Sequence, residues 1–479
     1  MAAPLTVVPE PRRQRRWLAT ALILAAVAGI LLAGPPKGVS PQGWRLLAIF
    51  TGTILGLMLR PLPGGAVAVI GVTAVILSGA LPIRGALAGY ADPTVWLVFV
   101  AFLIARGLIK TGLARRIALY FVRAIGQTSL GLSYAMVLSD VVLATIIPSN
   151  GARAGGVILP VARSLSELYD SLPGKTSALL GSFLMLSVYH GDVVACAMFL
   201  TGQASNVLGA QMAAGIGGVS ISWARWLWVA LLPALVSLAV VPAFVYWRHR
   251  PLITRTPAAA QFARQRLAEM GPLGRSEKIA LAVFLGVFGL WVTSGWHQLH
   301  TTAVALVGVS ALFITGVLDW EDVISERGAW DLFIWYGALV RMGEALNELG
   351  VTGYLAQRIS GSLAGLPWFP VLLLVLAIYF YSHYGFASLT AHMVAMYAPF
   401  LALLIARGAP APVSAFSLLF FANLDASLTH YGTTPAPMFF ATGYVDQLTW
   451  WRTGFLVALT HWVIWLAVGF AWWKLIGLW

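Results

Sequence analysis

The chain is a succession of apolar runs, each about as long as a membrane-spanning helix, separated by short clusters of basic residues. A spanning helix needs about 20 mainly apolar residues. Runs near 17–34, 44–60, 65–82, 94–113, 224–247, 279–297, 301–318, 329–350 and 452–478 meet that requirement. Four further stretches, near 130–165, 177–216, 369–406 and 413–445, are too long for one span and are interrupted by Gly, Pro, Asn, His and Asp. These interruptions predict broken helices or re-entrant hairpins, because backbone outside a helix survives at membrane depth only where protein or a water-filled cavity covers it. With 59% hydrophobic and only 10% charged residues, against about 25% charged in soluble domains, a soluble fold is excluded.

The net charge of +13 does not point to nucleic acid. The arginines fall in clusters between apolar runs, the pattern of cytoplasmic loops under the positive-inside rule. Arg12, Arg13, Arg15 and Arg16 precede the first run, which reads as an uncleaved anchor because no A-x-A-like cleavage site closes it. The most basic loop, Arg248 to Lys278, divides the chain into two apolar halves. Placing it and the N-terminus inside, with the stretches near 130 and 369 re-entrant, gives about eleven crossings and an external C-terminus, and puts Arg115, Arg116 and Arg123 inside as well. The expected setting is an inner or plasma membrane. Cys196 is the single cysteine, so no disulfide framework is available.

The halves are weakly similar. Trp96 opens a run ending at Lys110 to Leu113, followed by Ser149-Asn150-Gly151 and Pro160; Trp330 opens one ending at Asn347 to Val351, followed by Ser388-Leu389-Thr390 and Pro399. Both serine-to-proline spacings are eleven residues. An odd number of crossings before the second copy inverts it, and inverted repeats with broken helices build secondary transporters with a site near the midplane.

An anion held there needs donors that act without bulk water. Backbone N–H groups at half-helix N-termini are suited to this, because the helix dipole also favours negative charge there. The first tip, Pro148 to Gly156, offers Ser149, Asn150, Gly151 and the guanidinium of Arg153, which either contacts the anion, snorkels to the interface, or pairs with Asp140 or Asp192. The second, Ser382 to His392, offers Ser388, Thr390 and two imidazoles, of which His392 is the stronger candidate. Asn206, and Thr433, Thr434 and Pro435, are placed at the unwound centres of the two long broken helices. Asp425 stands alone in an apolar stretch as a proton carrier, an ion-pair partner or a water-facing group. Arg106, Lys110 and Arg341 read as snorkelling residues.

Several ordered stretches resemble the divalent anion/sodium symporter family, and within it the branch of 2-oxoglutarate/malate translocators and citrate or tartrate:succinate antiporters. They are Asp92 to Trp96, Ala105 to Leu113, Pro148 to Pro160, Ala197 to Thr201, Phe386 to His392, Leu428 to Gly432, Pro435 to Pro437 and Gly443 to Val445. The resemblance implies an all-α, elevator-type homodimer in which a transport domain moves against a scaffold. On that division, 1–16 is a basic N-terminus, 17–129 and 279–350 are scaffold, 130–223 and 351–445 carry the hairpins and broken helices, 224–247 and 446–479 hold further spans, and 248–278 is the basic loop. It also implies that the Ser-Asn-Thr signatures at the tips bind substrate carboxylates and, in symporters, sodium. Ser149 and Asn150 match the first signature, with Gly151 in place of threonine; Ser388 and Thr390 match the second, with Leu389 in place of asparagine. A sodium ion, where used, falls to Thr145, Ser149 and Asn150, and leucine offers a hard cation no oxygen at the second tip. Arg153 and His392 lie where the exchanger branch carries an Arg and a Thr-Ala-His, so an exchanger is expected and no cofactor. A sodium- or proton-coupled symporter is the alternative. A membrane enzyme on lipid-linked substrates is disfavoured because the Arg248–Lys278 loop offers only Glu269 and Glu277 as acids, and a channel because no repeated filter is present.

Overall fold

A computed structural model of the chain describes residues 10–361 and 365–479. Residues 1–9 of the basic N-terminus expected over 1–16, and residues 362–364 of the segment expected over 351–445, lie outside the described residues. Among the described residues, nine helices are long and apolar enough to cross a membrane, and Gly64–Leu77, Ser129–Ala144 and Thr301–Ile314 are shorter apolar helices. Apart from an isolated bridge between Thr128 and Arg255, the described chain is helical and loop.

The order of elements repeats. In the first half the helix Pro93–Lys110 is followed by Leu113–Ile125, a hairpin with arms Ser129–Ala144 and Gly151–Glu167, a broken helix Gly181–Met198 and Ala204–Gly217, and the long helix Trp223–Arg248. In the second, Arg327–Glu348 is followed by Val351–Gly361, a hairpin with arms Trp368–Ser382 and Leu389–Ala406, a broken helix Ala411–Leu424 and Pro435–Phe440, and the helix Gln447–Ile464. The breaks fall where the sequence demands them. The first hairpin turns at Pro148, whose ring has no N–H to continue a helix, and its second arm starts with a π-helical segment over Gly151–Ile158.

Burial separates the elements. Every residue of Gly181–Met198 is buried and so is all of Val413–Leu424, which places these two helices at the centre of the molecule. The N-terminal helix is 6% buried over its apolar window, as expected for a helix facing lipid. Leu113–Ile125 is amphipathic and packs against Pro257–Glu269 of the basic loop. The join is an ion pair: Arg116, 2% exposed, donates to Glu277 at 2.6 and 3.0 Å and to the Gly271 carbonyl at 2.8 Å. The basic loop and the Arg115, Arg116, Arg123 cluster therefore share one face.

Three cations expected to snorkel are instead ion-paired. Lys110 bonds Asp319 at 3.0 Å and also Asp322, Arg106 lies 3.5 Å from Asp322, and Arg341 grips Glu348 through two bonds of 2.8 and 2.7 Å. In each case a carboxylate lies within reach of the cation, and Arg341 meets its partner through the two prongs of its planar fork.

Candidate functional site

Both hairpin tips and both helix breaks meet at one cavity of about 110 Å³. Its wall is formed by Pro148, Ser149 and Asn150 of the first tip, Gln203 to Ser205 of the first break, Ala387 to Thr390 of the second tip and Thr433 and Thr434 of the second break, closed by Arg60, Phe102, Leu332 and Trp335. A cavity this size suits a small anion; drug-sized ligand pockets start at about 300 Å³. It continues into a vestibule of about 600 Å³ that shares Arg60, Trp335, Ser388, Thr390 and Thr434 with it and adds Arg16 and Asp331.

What the wall offers chemically follows from where four helices begin. Asn150, Gln203, Ser388 and Thr434 are the N-cap residues of the helices starting at Gly151, Ala204, Leu389 and Pro435, and all four line the cavity. Each N-terminus turns the positive end of a helix dipole toward the cavity. The caps hold the tips in place: Ser149 Oγ accepts from Ala152 N at 3.2 Å, Asn150 Oδ1 from Gly151 N at 2.9 Å, and Ser388 Oγ from Ala391 N at 3.4 Å. Asn150 Nδ2 also donates to Thr433 Oγ1 at 2.8 Å, joining the first tip to the second break. The Ser205 hydroxyl, on a residue 1% exposed, has no partner in the wall. Among the described residues, no carboxylate lines the cavity and Arg60 is its one full charge.

Of the residues expected at the site, Ser149, Asn150, Ser388, Thr390, Thr433 and Thr434 line the cavity. The others stand behind it. Gly151 lies against Thr434, where an added Cβ would meet the Thr434 methyl at 2.7 Å. The buried Pro435 starts the short helix that Thr434 caps. Asn206 donates to the Cys196 and Phe199 carbonyls at 2.8 and 3.0 Å and accepts from Asn423 at 2.8 Å, so its amide spans the helix break and does not face the cavity.

Arg153 is a correction. Its side chain is fully buried and bonded to Asp140 and Asp192 at 3.0 Å each, to the Ile147 and Gly202 carbonyls at 2.7 and 2.6 Å, and to Cys196 Sγ at 3.4 Å. A guanidinium has five donors, and these bonds leave none for an anion. Thr145 is likewise turned away, its hydroxyl on the Val142 carbonyl at 2.7 Å and its own carbonyl taking the Thr201 hydroxyl at 2.6 Å. His392 is buried, one turn behind Ser388, bonded through Nε2 to the Tyr379 carbonyl at 2.9 Å and turned through Nδ1 toward Asp425 at 3.2 Å. Asp425 is fully buried, which removes the water-facing option.

Arg60 is the cavity residue that sequence reasoning missed. It follows the helix Pro41–Leu59 with φ 50° and ψ 50°, a left-handed conformation uncommon outside glycine and found where surrounding structure enforces it. Its side chain reaches the second tip, donating to the Ala387 carbonyl at 3.4 Å. Its signal was the Leu59-Arg60-Pro61 boundary, a cation at a helix end fixed by a following proline.

The family described as the sodium:sulfate symporter transmembrane region matches residues 14–479. Dicarboxylate transporter 1 of Arabidopsis thaliana chloroplasts is 40% identical over 484 residues, covering 99% of this chain and 86% of that one. The inner membrane protein YbhI of Escherichia coli (strain K12) is 34% identical over 466 residues, covering 95% and 97%. The solved structure of MtrF from Neisseria gonorrhoeae, described as one of a class of antimetabolite efflux pumps, superposes with a TM-score of 0.58 at 16% identity over 97% of this chain and 95% of that one, a likeness of fold. Matched along nearly its whole length, the chain belongs to the sodium:sulfate symporter family.

Proposed function

We propose that the protein is a secondary transporter that exchanges one small dicarboxylate for another without sodium. The observation that carries this is the convergence of four helix N-termini, with Arg60, on a cavity lined by no carboxylate. Two of those N-termini come from hairpin tips and two from helix breaks, so positive dipole ends and polar side chains arrive from several sides, as a ligand charged at both ends requires. Relatives named as dicarboxylate transporters favour that substrate class over the sulfate of the family's name. Independence from sodium rests on two features. Arg153 already occupies the Ile147 and Gly202 carbonyls, the kind of unwound-helix oxygens a sodium ion would take, and Leu389 stands at the second tip where an oxygen would be needed.

The elevator reading assigns the hairpins and broken helices to a moving unit and helices such as Pro41–Leu59 and Arg327–Glu348 to the scaffold. Arg60, Leu332 and Trp335, from the scaffold side of the cavity, would then release the tips as the unit moves. With the N-terminus and the basic loop inside, the vestibule containing Arg16 faces the cytoplasm, which makes this conformation inward-open; the membrane is read as the plasma or inner one. The same reading makes the chain a homodimer, which light scattering on the purified protein measures. Uptake of labelled succinate into proteoliposomes tests the function. Uptake that requires internal dicarboxylate and is unchanged when potassium replaces sodium is expected. Sodium-dependent uptake into empty vesicles would restore the symporter, and competition by sulfate but not by succinate would move the substrate class.

A further inference from the structure

Behind the second tip lies a cluster that the transport reading does not use. The His383 Nδ1, the His392 Nδ1 and both oxygens of Asp425 are buried and have no hydrogen-bond partner, on three side chains that are all 0% exposed. Asp425 Oδ2 is 3.2 Å from His392 Nδ1, and Oδ1 is 3.8 Å from His383 Nδ1. Unpaired buried polar atoms are rare, and each is a cost to the fold.

The ring nitrogens on the far sides fix the tautomers. His392 Nε2 faces the Tyr379 carbonyl at 2.9 Å and the Ser382 hydroxyl at 3.0 Å, and that hydroxyl donates its own proton to the Tyr379 carbonyl at 2.7 Å. The Tyr379 carbonyl can only accept, so Nε2 carries the hydrogen. His383 Nε2 faces the Gly432 carbonyl at 3.1 Å and carries one for the same reason. In neutral rings both Nδ1 atoms then present lone pairs to Asp425, and an ionised carboxylate would place lone pairs against lone pairs with no water between. One positive species is missing from the middle of the cluster.

We propose that Asp425, His392 and His383 form a proton site, with one proton held between the Asp425 carboxylate and His392 Nδ1. One proton makes the cluster neutral overall, which a dry interior favours. A divalent metal ion on the three ligand atoms, which lie within 4.8 Å of one another, would instead leave a net positive charge in the same place. Among the described residues, no lysine or arginine nitrogen lies within 4.0 Å of Asp425 to replace the proton. The other ionisable groups around it are the phenol of Tyr379, whose ring lies 4.4 Å from that of His392, and, from the first broken helix, Tyr189, whose hydroxyl donates to the Ala426 carbonyl at 2.6 Å; the buried rings of His190 and His461 have no hydrogen-bond partner. The site is wired to the cavity: the His392 backbone N donates to the Ser388 carbonyl at 3.0 Å, and His383 holds the carbonyl next to Thr433. A dianion at the tips thus meets a neutral cluster behind the second one.

The test needs no substrate, so it stands whether or not dicarboxylate exchange is correct. The melting temperature of the purified protein is followed from about pH 6 to about pH 9 for wild type, Asp425→Asn and His392→Gln. Asparagine offers His392 Nδ1 a permanent N–H donor, and glutamine offers the carboxylate an amide N–H in place of the nearer of the two lone pairs. Wild type is expected to lose a few degrees more than either variant toward alkaline pH, and metal analysis of the same preparation is expected to find no stoichiometric transition metal. Should Asp425→Asn fail to fold, the His392→Gln slope decides. The same slope in wild type and the folded variants, or one metal ion per chain, would overturn the proposal.

Discussion

The two hairpins present matching tips to one cavity, yet what stands behind each is chemically different. Behind Ser149-Asn150 is a permanent cation, Arg153, shared by Asp140 and Asp192 and closed over two backbone carbonyls. Behind Ser388-Thr390 is one carboxylate between two imidazoles, with no fixed cation within 4.0 Å among the described residues. The second tip receives its permanent charge from the front, through Arg60 on a helix outside the hairpin, at 3.4 Å from Ala387. A repeat thus keeps the donors that touch an anion and varies the charges that support them. The first support carries a permanent positive charge shared by two carboxylates, because a guanidinium does not deprotonate; the second is a carboxylate facing two imidazoles.

The sharpest way to break this comparison is to remove each support. Arg153→Met leaves two buried carboxylates without a partner, a loss of about 3–5 kcal/mol, and folded protein is expected to disappear from size-exclusion profiles in detergent. Arg153→Lys keeps the charge but has three donors for five contacts; it should fold and lose most transport. Asp425→Asn, by contrast, should fold well. If Arg153→Met also folds and transports, the first cluster is not a fixed support and the contrast fails. At the tips the comparison predicts symmetry: Ser149→Ala and Ser388→Ala each remove a hydroxyl donor to a charged ligand, about 1.5–3 kcal/mol, read as a 10- to 100-fold rise in the succinate concentration for half-maximal uptake. A large effect at one tip alone would show that only one carboxylate end is bound by a hairpin. Arg60→Gln is expected to weaken uptake roughly tenfold at low salt and less at high salt, because an exposed cation at a vestibule acts partly by steering.

Much of this architecture is legible in sequence because bilayer physics writes it there. The Pro148 and Pro435 breaks, the Ser149-Asn150 and Ser388-Thr390 tips and the basic loop are each local features, and the structure brings both tips and Thr433-Thr434 to one cavity. What was not legible depends on partners far apart in the chain. Arg153 reads as a ligand, a snorkelling cation or the partner of Asp140 or Asp192, and the fold is needed to select the pairing and to add the Gly202 carbonyl. Arg60 reads as a helix end until the second tip, 327 residues later, is placed beside it. Asp425 reads as an isolated acid because His383 and His392 belong to another segment. A charged residue in an apolar run announces that it has a partner, not which one.

The departure of the first tip from its signature has a steric origin that the smallest predicted effect can test. A Cβ on Gly151 would sit 2.7 Å from the Thr434 methyl, so the space a threonine side chain would need there is already filled from the opposite break. At the second tip the corresponding Thr390 faces the cavity and its vestibule. Glycine at the first tip and threonine at the second are therefore two solutions to one packing constraint: the side chain comes from the tip in one half and from the facing break in the other. Gly151→Ala should push Thr434 into the cavity at a cost of about 1–3 kcal/mol, partly offset by the better helix propensity of alanine, and lower succinate uptake a few-fold. Removing the blocking methyl with Thr434→Ser in the same chain keeps the hydroxyl and should restore most of the loss, so the two changes couple in a double-mutant cycle. Additive losses would mean that Gly151 is required for its backbone and not for the room it leaves to Thr434.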